Sequence, residues 1–114
     1  MKKEFRIRKR EFFLRAACSR NFFRTDFFVI QCCKNELDQF RVGFTASKKV
    51  GGAVQRNRCK RRMRAAADQL LKLQGQSGVD YVFIAKKKQI DVPWEQLLQG
   101  FRDGLRFVNK KISI

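Results

Sequence analysis

Between Gln39 and Lys48 the residues take turns: Phe40, Val42, Phe44 and Ala46 alternate with Arg41, Gly43, Thr45 and Ser47. A period of two sends each set to its own face of a β-strand, one face packed and the other open. Phe27 to Cys33 is rich in β-forming residues and predicts another strand, after a briefer extended piece around Phe22 and Phe23. Lys34–Asn35–Glu36 reads as a turn, and the unbroken apolar run Tyr81–Ala85 as a buried strand. Elsewhere the period is helical. Arg10 to Cys18 predicts a short helix with Phe13 and Ala17 four apart on one face, preceded by a basic extended arm over residues 1–9. Gly51–Gly52 breaks the chain, and a helix follows to about Leu73. At about 100° per residue, Cys59, Met63, Ala66, Leu70 and Leu73 form a narrow apolar stripe. Asn57, Lys60, Arg61, Arg64 and Asp68 lie opposite it, with Arg56 and Arg62 on its flanks. After a loop at Gln74–Gly78 and the strand to Ala85, Asp91 and Pro93 mark the start of a last helix. Its apolar positions are Trp94, Leu97, Leu98, Phe101, Leu105 and Val108. Gly100 and Gly104 weaken that helix intrinsically and fit a close approach to its neighbour.

The element order is α-β-β-β-α-β-α, which predicts an α+β sandwich of helices on a small mixed sheet. At 114 residues the chain has the length of one domain, 1–114. No apolar run approaches the roughly 20 residues of a membrane helix, and MKKEFRIRKREFF has no signal-peptide core, so the expectation is a cytoplasmic protein. The four cysteines, Cys18, Cys32, Cys33 and Cys59, form no CxxC pair, and there is no histidine. A zinc site therefore lacks ligands at usable spacing, and reduced thiols are expected. Cys32 and Cys33 are adjacent on a strand and should face opposite sides.

Charge changes this picture most. The formal net charge is +17, well beyond what solubility requires. From Gln39 to Ala67 there are nine lysines and arginines and no acidic residue. Such a block repels itself unless a polyanion completes it, and its ordered strand-turn-helix pattern points to RNA or DNA rather than to a disordered tail. Arginine forks can grip two phosphate oxygens. The open sheet face beside Phe13, with Lys49 and Lys86 at its rim, suits a single strand stacked on aromatics. Phe13 reads equally well as a core residue. Catalysis by the polypeptide itself is not expected. Histidine is missing for general acid-base work. The ten acidic residues are too scattered for a metal nuclease. GGAVQR lacks the GxxxxGK[ST] spacing of a nucleotide loop. A structural or ribosome-associated RNA-binding protein accounts for the charge equally well. Nonspecific DNA compaction is a weaker fit, since long tails and dimer-forming heptads are missing.

The segment RVGFTASKKVGGAVQRNRCKRRMR resembles the signature of the bacterial ribonuclease P protein component. It has a strand with an R-x-G start, a Lys-Lys pair, small residues, and an Arg56–Asn57–Arg58 motif continued by Lys60, Arg61 and Arg64. Ile84–Ala85–Lys86–Lys87 matches as well. The joined pattern favours this family over a ribosome-associated protein. The resemblance implies a ribosomal-protein-like fold containing a left-handed β-α-β crossover, against the general handedness rule. It implies a non-catalytic subunit of an endoribonuclease, in which a catalytic RNA uses Mg2+ to cut the 5′ leader from precursor tRNA. The expected partners are that RNA and precursor tRNA, with no obligatory protein partner and no membrane. Lys48, Arg56, Asn57, Arg58, Lys60, Arg61 and Arg64 would contact the catalytic RNA. Phe13, Ala17, Phe27, Gln31, Lys49, Lys86 and Lys87 would line or border a leader cleft. Ala17 and Gln31 stand where the family often has aromatics. Phe27, on the same strand face as Gln31, is expected to take over part of the stacking.

Overall fold

The computed structural model describes residues 5–113. Helix α1 is Arg10–Ala17; strands β1, Asn21–Arg24, and β2, Phe28–Lys34, form a hairpin; β3 is Arg41–Thr45. The long helix α2, Ala53–Gln74, leads to β4, Val79–Ala85. A 3-10 turn, Lys87–Asp91, and helix α3, Trp94–Ile112, complete the chain. The strands lie in the order β1-β2-β4-β3. β2 runs antiparallel to both β1 and β4, whereas β3 and β4 are parallel neighbours joined through α2. The α+β order read from the sequence is therefore present.

Alternation along the strands sorts side chains between two cores. Phe28, Ile30 and Cys32 of β2, Val42 of β3, and Tyr81, Phe83 and Ala85 of β4 pack with α2 and α3. On the reverse face Cys33 and Val82 form a smaller cluster with Ile7 and Ala16, joined by Phe12, Phe13 and Ile84. The sheet with α2 and α3 makes the expected two layers, and α1 adds a partial cover on the reverse face. Cys32 and Cys33 do point to opposite sides. All four cysteines are free thiols, and burial, with neighbouring Cys33 second, pushes the Cys32 thiol up to about 12.

Arg6 bridges Val42 in parallel, and the Ile7 amide donates to the Val42 carbonyl at 2.9 Å. The described part of the basic arm thus covers the outer edge of β3; residues 1–4 of the expected arm lie outside the described residues. β3 is shorter than the predicted Gln39–Lys48, because Lys48–Val50 turn away with the Val50 amide bonded to the Ser47 carbonyl at 3.0 Å.

In α2 the core stripe is Cys59, Met63, Ala66, Ala67, Leu70 and Leu71. Leu73, assigned to the stripe from the sequence, is 84% exposed. The helix turns its buried side toward Ala67 and Leu71, which leaves Leu73 on the solvent flank near the C-terminus. In α3 all six predicted apolar positions turn inward, Trp94 only partly. Gly104 has the close approach its sequence context implied: a Cβ there would stand 2.5 Å from Ile30 Cδ1 and 2.9 Å from Phe23 Cδ2.

Candidate nucleic-acid interface

The basic block occupies a turn and the first half of α2. Lys48 and Lys49 are exposed on the turn, which buried Val50 anchors to the core. On α2, Asn57, Arg58 and Arg61 face solvent, while Arg56, Lys60 and Arg64 are half-buried along the flanks. None is in the hydrophobic interior. The Arg64 guanidinium sits 5.8 Å from the centroid of Phe44, a cation–π contact that steers it along the helix. Arg58 and Arg61 have no carboxylate partner among the described residues. One cation of the run has a different task. Arg62 donates through Nη1 to the Gln89 carbonyl at 2.6 Å and through Nη2 to the Val92 carbonyl. Burial, then the nearby Arg58, holds its pKa below the ordinary arginine value.

A second feature lies on the reverse face of the sheet. A cavity of about 510 Å³ opens between α1 and the strands. Its floor is Gln31, Thr45, Val82 and Ile84; α1 contributes Phe13, Leu14 and Ala17; Arg8 and Arg10 add charge. The Phe13 ring lies so close to the backbone of β3 that a Cβ at Gly43 would be 2.4 Å from its Cε1. Phe13 is accordingly both a core residue and a wall of the cavity.

Three of the expected cleft residues, Phe13, Ala17 and Gln31, are brought together here. Lys49, Lys86 and Lys87 are not lining residues; they follow the C-terminal ends of β3 and β4, which lie side by side because those strands are parallel. Phe27 is placed otherwise than expected. It precedes β2, sits in the turn after β1, and packs against the core on the α2 and α3 side. Its carbonyl accepts hydrogen bonds from the Lys86 amide and Gln89 Nε2. It does not share the cavity with Gln31.

Some site residues had only weak signals in the sequence. Arg8 belongs to the basic arm and Arg10 opens the short helix, and neither position is marked by more than its charge. Arg41 was visible as the polar start of β3, but its partner was not. Arg41 Nε and Nη2 grip Asp80 Oδ1 and Oδ2 at 2.8 and 2.7 Å, and Asn35 Nδ2 donates to Oδ1 at 2.8 Å. The Arg41 guanidinium also stacks 4.1 Å from the Phe12 centroid, so the network fixes α1 over the sheet.

Two surfaces, a basic helix face and a cavity with arginines beside it, thus occupy opposite sides of one sheet. Over residues 1–109 the sequence matches the family model Ribonuclease P. The chain belongs to the ribonuclease P protein family. The ribonuclease P protein component of Paramagnetospirillum magneticum is 38% identical over 108 residues, covering 90% of this chain and 81% of the relative. That of Caulobacter vibrioides (strain NA1000 / CB15N) is 44% identical over 101 residues, covering 88% and 68%. The structure superposes on a Staphylococcus aureus RNase P protein, a mutant with defective mRNA degradation activity, with a TM-score of 0.81, 30% identity, and coverage of 94% of this chain and 90% of that one. Family membership sets aside the ribosome-associated alternative and places the chain with ribonuclease P, in tRNA processing and in partnership with the ribonuclease P RNA. Among the described residues no helix is long and apolar enough to cross a membrane.

Proposed function

We propose that this chain is the non-catalytic, RNA-binding subunit of a ribonuclease P holoenzyme acting in the cytoplasm, and that the RNA subunit cuts the 5′ leader from precursor tRNA. The observation that carries this reading is the outward face of α2. Arg58 and Arg61 stand exposed, without carboxylate partners among the described residues, on a helix whose other side is sealed in the core. The phosphates of the catalytic RNA complete that face, with Lys48, Arg56, Asn57, Lys60 and Arg64 as further contacts. The cavity beneath α1, with Lys49, Lys86 and Lys87 toward its end, takes the single-stranded leader. Holding the leader adds affinity for precursor that the mature product cannot use, which favours turnover.

Among the described residues no three His, Cys, Asp or Glu side chains cluster. The RNA is the proposed holder of the magnesium ions. What the protein supplies is binding energy and neutralised phosphate repulsion.

Reconstitution with a bacterial ribonuclease P RNA tests the proposal. Wild-type protein should enhance 5′-end cleavage at physiological ionic strength. Arg58→Ala combined with Arg61→Ala should lower holoenzyme activity about tenfold or more at low magnesium, with partial recovery at high magnesium. A wild-type protein that gives no enhancement of 5′ maturation would remove the proposal.

A further inference from the structure

The strand register lines up one residue from each strand across the cavity side of the sheet: Phe22 beside Gln31, Gln31 beside Val82, Val82 beside Gly43. The Phe13 ring closes the far end of this row over Gly43. The next row is Arg24, Val29, Ile84 and Thr45. The sheet face that floors the cavity therefore continues past Gln31 to Phe22 and Arg24 of β1, which lie beyond the cavity's lining. Three strand spacings separate the ends of a row, about 14 Å, enough for more than one nucleotide. Gln31 and Ala17 give no ring in the middle of it.

Phe22 does. Its neighbour Phe23 is turned to the other face, against Gly104 and Phe107, so Phe22 is on the cavity side. It is 40% exposed, while Phe12 and Phe13 on that side are half-buried. A single exposed phenylalanine is ordinary; its surroundings are less so. The Arg24 guanidinium lies 5.1 Å from the ring centroid. Lys111, from the last turn of α3, brings Nζ to 5.7 Å while donating to the Arg20 carbonyl at 2.7 Å. Both cations are exposed and have no carboxylate partner among the described residues. β1 is the outer strand of the sheet, so the ring is approachable from the edge.

We propose that Phe22, flanked by Arg24 and Lys111, is a stacking platform for a base of single-stranded RNA where it leaves the cavity over the edge of β1. The inference rests on the reading of the cavity as the leader site and extends it to a strand outside it. A base displaces a cation from one face of the ring, and the cation moves to the adjoining phosphate; stacking and charge neutralisation then act together. The charge pattern favours RNA over a second copy of this chain, since association would bring two molecules of +17 together.

The experiment uses the reconstituted holoenzyme, with precursor tRNA carrying a stacking-quenched fluorescent base in the leader, and mature tRNA. Phe22→Ala and Phe22→Leu should each weaken leader-bearing precursor about tenfold and relieve the quench. Phe22→Tyr should restore both, and mature tRNA should bind as before. Phe107→Ala, removing the exposed ring on the other side of β1, should change neither. Wild-type quenching and precursor affinity retained in Phe22→Leu, while Ala17→Glu in the cavity abolishes leader discrimination, would overturn this inference and leave the cavity reading intact. A wild-type holoenzyme that binds both RNAs equally would remove both. A Phe22→Ala effect equal for the two RNAs, or a change in holoenzyme mass, would assign the ring to structure or to protein contact and overturn the inference.

Discussion

Arg41 joins three groups that the chain supplies from distant places: the Asp80 carboxylate on β4, the amide of Asn35 through that carboxylate, and the face of Phe12 on α1. Asp80 is fully buried, and the Arg41 side chain is only 14% exposed. A carboxylate enclosed in this way depends on its partner, because solvation cannot replace a lost fork. Arg41→Met should therefore cost about 3–5 kcal/mol in denaturant unfolding. Arg41→Lys should recover only part, since a point charge cannot make the paired contacts. A cost below about 1 kcal/mol for Arg41→Met, the range of an exposed ion pair, would show that the network does not hold α1. The sequence announced Arg41 only as a polar position on a strand. Asp80 precedes the run Tyr81–Ala85, and nothing in that pattern pairs it with residue 41; the pairing comes from the parallel alignment of β3 and β4.

At the scale of elements, periodicity reaches the order of the elements along the chain, and it fails where a period runs past the end of its element. The two faces of β3 were readable because the alternation stays within one strand. Phe27 lies off the face of Gln31 because it precedes Phe28, the first residue of β2, where the alternation through Gln31 begins. There Thr25 intervenes: its Oγ1 accepts from the amides of Phe27 and Phe28, both at 3.1 Å, and its own amide donates to the Phe28 carbonyl. That turn resets the phase, and it is Phe22, across the hairpin, that shares the face of Gln31. Leu73 failed similarly, one turn beyond the last core contact of its stripe. The basic helix shows another limit, since composition cannot tell a docking arginine from a fastening one. Arg62 ties α2 to the backbone at Gln89 and Val92, beside the lysine-rich 3-10 turn, whereas Arg61 is directed at solvent. Arg62→Met should lower stability by about 1–3 kcal/mol, since the Val92 carbonyl loses its donor while the Gln89 carbonyl keeps the Val92 amide. Arg61→Met should leave stability within about 0.5 kcal/mol and weaken catalytic-RNA binding instead. Thermal unfolding of the two variants alongside RNA titration separates the roles, and equal unfolding midpoints would refute the distinction.

For the molecule as a whole, the sheet works as a partition. One side carries α2 and α3 on the main core, with the basic face of α2 outermost; the other carries α1, the cavity and the row ending at Phe22. On the proposed reading, a single small chain touches a large RNA and a single-stranded leader without the two sites competing for the same cations. Net charge alone gives no such division: +17 would attract any polyanion. Salt dependence distinguishes the two cases, because each phosphate contact that releases a counterion steepens the fall of log affinity with log salt by about 1. For binding of the catalytic RNA, Arg58→Ala with Arg61→Ala should flatten that slope by about 2. Lys72→Ala, which removes an exposed cation in the last turn of the same helix, should leave it unchanged, although it alters net charge in the same sense. Phe22→Leu should lower precursor affinity with no change of slope, since it removes a stacking surface and no charge. If Lys72→Ala flattened the slope as much per charge as the Arg58 and Arg61 changes, the RNA would be reading the overall field of the protein rather than the ordered face of α2.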